Sequence, residues 1–314
     1  MAGLASGGRK KTAIFRFPFA PVFITSRKPM NTKALLSSVV ILPAVLFAVV
    51  ASAQAPRVEF PSPSPSGSLK QRVGLTDIEV SYSRPSARGR PIFGGLLPFG
   101  KVWRTGANAP TILSFSTPVK LNDTPVAAGK YALFTIPGED EWTIILNKDT
   151  KGSPLDYHET NDVVRFTAHV HKLAENIETF TILVNAIKDD SARIDLIWEH
   201  TAVPIHLSLD LVSELKPKIE AAMSAEGERK PYYQAAMFYF EHNLDLQKAK
   251  EWIDAAAKQN ATYYVTHLQA KIHAAVGDKE GAIAAAKHSS ELAATAEGAS
   301  GYLKLNQDLI DSLK

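Results

Sequence analysis

The chain of 314 residues contains no cysteine. That excludes disulfides, thiolate metal sites and lipid attachment at an N-terminal cysteine, so the fold must be held by its core. Acidic residues are missing from two intervals. None precedes Ala53, whereas seven basic residues do: Arg9, Lys10, Lys11, Arg16, Arg27, Lys28 and Lys33. Setting that segment aside turns the formal net charge from +3 to −4, with 28 basic against 32 acidic side chains. A basic balance confined to a leader removes the main support for nucleic-acid binding, and none is expected. The second acid-free interval lies between Glu79 and Asp123 and holds Arg84, Arg88, Arg90, Lys101, Arg104 and Lys120.

The leader has a recognisable grammar. Met30-Asn31-Thr32-Lys33 is a short basic start, Ala34–Val50 is an uncharged apolar run, and Ala51-Ser52-Ala53 is a small-x-small cleavage pattern. Residues 1–53 therefore read as a leader with a signal peptide, the start at Met30 and cleavage after Ala53. The expected location is exported, periplasmic or secreted, with the membrane met only transiently through the signal peptide. A retained anchor is the competing reading, since no charge interrupts Ala34–Pro56, and Pro43 argues against it. Residues 54–68, with the run PSPSPSGS, read as an extended Pro/Ser linker.

Residues 69–210 have β patterning. Ile78, Val80 and Tyr82 alternate with polar residues. Thr111–Ser116, Lys130–Ile136, Glu141–Asn147, Val163–His171, Glu178–Ala186 and Ala192–Glu199 are further β-branched or aromatic runs, separated by turn formers such as Asn122-Asp123 and Pro137-Gly138. Tyr131–Asn147 predicts a hairpin. Residues 211–314 change to a helical period, with helices expected near Leu209–Met223, Tyr232–His242, Leu246–Gln259, Tyr263–Val276, Lys279–Ala294 and Tyr302–Leu313. Within them Asp245–Ala249 and Asp278–Ala282 are offset by 33 residues, and Met237 and Ala270 share that offset. The period resembles that of tetratricopeptide repeats over about Pro231–Ala294, which implies protein–protein contact; an ordinary helical cap on the β-domain is the alternative. The expected architecture is α+β as two domains: an antiparallel β-sandwich or barrel followed by an α-helical tetratricopeptide-like hairpin array.

Between β-patterned segments lies Tyr82–Asn108, YSRPSARGRPIFGGLLPFGKVWRTGAN, dense in Gly, Pro, Arg and aromatics. Tyr82-Ser83-Arg84-Pro85, Gly89-Arg90, Ile92–Leu96 and Lys101–Asn108, with Ala128–Tyr131, Thr135–Gly138, Glu141–Thr143 and Ile145–Lys148, resemble the signature of domain-of-unknown-function family 2911. The resemblance covers about Pro61–Asp210. It implies an exported bacterial β-domain, often followed by helical repeats, and implies no activity and no catalytic residues.

Arg84, Arg90, Trp103, Arg104 and Asn108 are the candidate ligand-binding residues. Arg offers a planar fork to anions, Trp a flat apolar face and Asn both donor and acceptor, so the ligand class is small and anionic or sugar-like. The competing reading, which takes precedence on sequence alone, is that these arginines brace a long glycine-rich loop by bonding backbone carbonyls and carboxylates. Gly95–Lys101 mimics a phosphate loop but has Val102 where Ser or Thr would hold magnesium, and no helix follows. His169 and His171 place two imidazoles on one face of a predicted strand, with His158, Asp156 or Glu159 as a third metal ligand; exposed surface histidines are the commoner outcome of such a pair. No cofactor is expected. The leading reading is a noncatalytic binding or assembly module with a protein partner at the helices. A hydrolase-like enzyme at the Arg84–Asn108 loop and a His-based metal-binding protein are the alternatives, and no G-x-S-x-G elbow supports the former.

Overall fold

The computed structural model describes residues 59–151, 157–227 and 229–314. The leader, residues 54–58 of the linker and Asp156 lie outside the described residues. Two antiparallel sheets precede six helices, the expected two-domain α+β architecture. The larger sheet has the order β1 (Ser66–Val73), β2 (Thr76–Ser83), β3 (Thr111–Phe115), β6 (Gly129–Ile136), β7 (Glu141–Asn147) and β8 (Asp162–His169). The smaller has the order β5 (Thr124–Val126), β4 (Val119–Leu121), β10 (Ser191–Ser208) and β9 (His171–Asn185).

Alternation builds the core between the sheets. β2 buries Thr76, Ile78, Val80 and Tyr82, β3 buries Leu113 and Phe115, and β7 buries Trp142, Ile144 and Leu146 on the same side. β6 and β7 read as near-continuous apolar runs because their other face is covered too. Ala132, Phe134 and Ile145 form a second cluster there with Ile112, Ile136 and Tyr157. β10 first buries even-numbered residues (Ala192, Ile194, Leu196, Trp198) and then odd-numbered ones (Val203, Ile205, Leu207). The parity changes at register shifts around Glu199, whose φ is 48°, so a bulge re-aims the second half of the strand into the core.

Three features depart from the sequence reading. β1 carries a polar sequence because it is an edge strand, exposed at every second residue. β4 and β5 are only three residues each, too short to alternate visibly; Asn122 and Asp123 between them have φ of 43° and 64°, the conformation of a two-residue primed hairpin turn. The run Val163–His171 is not one strand. The chain leaves the large sheet after His169 and enters the small one at His171, so the two histidines belong to different sheets.

The helices are α1 (Leu211–Ser224), α2 (Tyr232–Glu241), α3 (Leu246–Gln259), α4 (Tyr263–Ala275), α5 (Lys279–Thr295) and α6 (Gly301–Ser312). From α2 onward each packs on the next. The 33-residue offset has a physical basis: Asp245 and Asp278 both cap a helix by accepting backbone N–H groups, and Ala249 and Ala282 are both fully buried one turn later. Small residues there bring the helix axes close. Buried Asn306 of α6 donates to Ser289 of α5 (2.8 Å), and its Oδ1 is 2.7 Å from His267 Nδ1 of α4. A hydrogen bond joins the two parts of the chain: His242 Nε2 of α2 lies 2.9 Å from Asp189 Oδ2 in the β9–β10 turn.

Candidate functional site

Residues 84–110 connect β2 to β3 and close one end of the sandwich. A connection this long inside a compact domain needs its backbone groups satisfied, and this one is laced to both sheets. On the small sheet, Ala87 N donates to Glu178 O (2.8 Å) and Phe180 N to Pro85 O (2.9 Å). On the large sheet, Trp103 and Thr135 exchange both backbone bonds, at 2.7 and 2.9 Å. Glu199 at the β10 bulge accepts from Ile92 N (3.1 Å). Ile92 and Trp103 enter the core, where Trp103, Trp142 and Trp198 meet Phe93 and Phe180 at centroid separations of 4.9 to 6.3 Å. Three of the four tryptophans of the chain are thus in one cluster, which makes the loop part of the core rather than an appendage.

The guanidinium groups bond main chain and hydroxyl oxygens. Arg84 donates to Phe180 O (3.2 Å) and Thr181 Oγ1 (2.8 Å), and Arg88 to Pro63 O (3.0 Å). Arg90 donates to Ala87 O and Ser86 O, both at 2.9 Å, and Arg104 to Asn108 O (2.8 Å). Asn108 Nδ2 reaches Ser64 O (3.2 Å) and Ser83 Oγ (3.3 Å). The carbonyls of Pro63, Ser64 and Pro65 are therefore held by Arg88, Asn108 and the backbone of Arg84, so the end of the Pro/Ser stretch is docked on this loop. The expected carboxylate partners are not there. Among the described residues none of these arginines forms an ion pair, and Glu178 and Glu199 meet the loop through backbone N–H groups instead.

Arg90, Trp103, Arg104 and Asn108 line one depression of about 380 Å³. Arg84 does not; it faces β9 and lies over the Tyr82 ring at 5.9 Å. Ser64, Leu96, Leu97 and Trp198 line it too, with Pro85, Gly106 and Ala107. Ser64 and Trp198 reach it from far along the chain, which no local pattern signals. Leu96 and Leu97 lie within the signature itself. The chain next to Arg104 is held in uncommon backbone conformations: buried Thr105 has φ 52° and Asn108, in the lining, φ 57°. For a β-branched residue this is a strained state costing about 1–3 kcal/mol. Thr105 is fully buried there, its Oγ1 donating to Thr135 Oγ1 (3.1 Å).

Size does not single this depression out. One of about 430 Å³ includes Asn122, Lys188, Arg193 and His206, but Asp123 lines it and Arg193 is held by Asp195 at 2.8 Å. Groups with shifted acidity lie elsewhere. Burial and a hydrogen bond to Asp162 push the Tyr157 hydroxyl up, and burial with Glu220 pushes Tyr239 up to about 12. The lining of the arginine depression contains no Asp, Glu, His, Lys or Tyr. His169 and His171 do not join it. His169 is exposed, with Nδ1 3.8 Å from Glu141 Oε1, and among the described residues no group of three or more His, Asp or Glu is placed to hold a metal. Glu159, a suggested third ligand, pairs with Arg165 at 2.7 Å.

Residues 64–207 match the model of a family described as protein of unknown function, DUF2911. The match spans nearly the whole β-domain, which resembles this family along its length. The match begins at Ser64 in the lining of the depression and ends inside β10, so every lining residue falls within the DUF2911 match and none of α1–α6 does. No curated protein matches the chain.

Proposed function

We propose that this chain is an exported, noncatalytic binding and assembly module. Its DUF2911 domain holds a small anionic or sugar-like ligand at the Arg90–Arg104–Asn108 depression, and its helices meet a protein partner. The observation that carries this reading is the lining: permanently cationic guanidinium groups with no side chain that exchanges a proton near neutral pH. Such a surface attracts and orients charge but offers no general acid or base. The carbonyl contacts support it as well. Arg104 commits one of its five N–H donors to Asn108 O, which fixes the fork while leaving the other donors for a ligand.

Export rests on the apolar run Ala34–Val50 and the Ala51-Ser52-Ala53 pattern. The described residues contain no helix long and apolar enough to cross a membrane. The partner reading rests on the 33-residue helical repeat. A second reading, that the arginines only brace the loop, is favoured by the same backbone contacts.

Thermal denaturation across a panel of anions, with the wild-type chain and Arg104→Ala, separates the two. A ligand that raises the wild-type melting temperature and leaves Arg104→Ala unmoved supports binding. A destabilised variant, with no anion shifting either protein, leaves the brace alone. N-terminal sequencing of protein recovered outside the cytoplasm tests export, with Gln54 expected first.

A further inference from the structure

Resting on the reading of the depression as an anion site, the geometry points to a narrower ligand class: a small carboxylic acid with an apolar body, rather than a sugar. The lining combines two unlike kinds of surface. Arg90 and Arg104 provide charge, and Leu96, Leu97, Pro85 and Ala107 provide hydrocarbon. Leu96, in the lining of the depression, is 47% exposed. An apolar ligand group seated on it removes that surface from water.

The free donors suit a carboxylate. Arg90 donates to the protein through Nε and Nη2 and leaves Nη1, while Arg104 donates through Nη1 and leaves Nε and Nη2. Adjacent N–H groups of one guanidinium match the two oxygens of a carboxylate. No carboxylate of the protein lines the depression to neutralise them.

A sugar fits this surface poorly. Its hydroxyls need several acceptors, and the side chains of the lining offer few: no Asp, Glu or Gln is present, which leaves the amide oxygen of Asn108 and the hydroxyl of Ser64. A pyranose ring also needs an open aromatic face. Trp103 and Trp198 are 7% and 2% exposed and stack on each other at 5.9 Å and 25°, so they contribute edges to the floor, not a platform. A volume of about 380 Å³ is at the small end of ligand pockets.

The two tryptophans supply the readout. The full chain is titrated with octanoate, octanamide, glucuronate and inorganic phosphate, following tryptophan emission and the heat of binding. Octanoate is expected to saturate, with octanamide about tenfold weaker or more, because the charged hydrogen bonds are lost. Arg104→Gln and Arg90→Gln are expected to weaken octanoate by about tenfold each. Leu96→Ser, which removes no bond from the loop, is expected to weaken octanoate severalfold. Equal affinity for octanoate and octanamide, or octanoate binding unchanged in both arginine variants, overturns the proposal. Glucuronate or phosphate binding more tightly than octanoate overturns the apolar class but keeps the anion site. No saturable response to any of the three anions overturns both.

Discussion

The β2–β3 connection of the β-domain and the helical region use charge in opposite ways. In the helices, cations find carboxylates: Lys218 with Glu214 at 2.9 Å, Lys248 with Glu220 at 3.1 Å, and Lys250 with Asp254 at 3.1 Å. In the β2–β3 connection, Arg84, Arg88, Arg90 and Arg104 find carbonyl and hydroxyl oxygens, which orient a guanidinium without neutralising it. The cores differ as well. The β-domain fills its centre with large aromatic rings, whereas much of the helical core is alanine, including Ala235, Ala236, Ala249 and Ala286. Close helix packing on small residues builds an array. A rigid aromatic block under a loop of uncompensated arginines builds a site that keeps its shape while it carries charge.

The sharpest way to break this contrast is Trp103→Ala. The side chain touches the rings of Phe93, Trp142, Phe180 and Trp198, and its Nε1 donates to Gly106 O at 2.9 Å. Its loss is expected to destabilise the β-domain by about 3–5 kcal/mol in chemical denaturation, with the helical signal less affected. An effect below about 1 kcal/mol would mean that the loop is an appendage after all.

Acid should act on the other region. Asp254 and Asp278 are both held below the usual carboxylate range. For Asp254 burial acts upward, and hydrogen bonds from Gln269, His273 and Lys250 outweigh it. For Asp278 the backbone N–H of Gly281 is the main cause, with His273 adding to it. His273 lies between them, Nε2 2.7 Å from Asp254 and Nδ1 2.8 Å from Asp278, the latter without hydrogen-bond alignment. A carboxyl lowered on folding stabilises above its unfolded pKa and loses that contribution as pH falls through the folded value. The helical region is therefore expected to lose far-ultraviolet circular dichroism below about pH 4, before the near-ultraviolet signal of the tryptophan cluster is lost. The reverse order would refute the assignment.

A smaller effect is expected from Arg84→Ala. It removes two hydrogen bonds to β9 but nothing from the depression, so stability should fall by about 1–2 kcal/mol with ligand affinity unchanged. Smaller still is Asp245→Asn, which keeps a capping oxygen and should shift stability by about 0.5 kcal/mol or less.

Much of this organisation is legible in the chain. Alternation places β2, β3, β6 and β7, and the helical period places all six helices to within a few residues. What is hidden depends on partners distant in sequence. The break at Val170 looks like continuous strand, because only pairing with Glu141 on one side and Ala202 on the other reveals two sheets. Arg84 resembles its neighbours in the signature, yet its side chain bonds Thr181 of β9 and takes no part in the depression that Arg104 lines. Trp198 reaches the depression only because it stacks on Trp103 across the sandwich, 95 residues earlier.

The most direct test of the central claim is the pH profile of anion binding. Guanidinium groups stay charged, and the depression has no other side chain that titrates near neutrality. The affinity of the full chain for octanoate, measured calorimetrically between about pH 6 and 9, is expected to be flat and to be lost in the Arg90→Gln, Arg104→Gln double variant. A midpoint within that range, or binding that survives the double variant, would contradict the account.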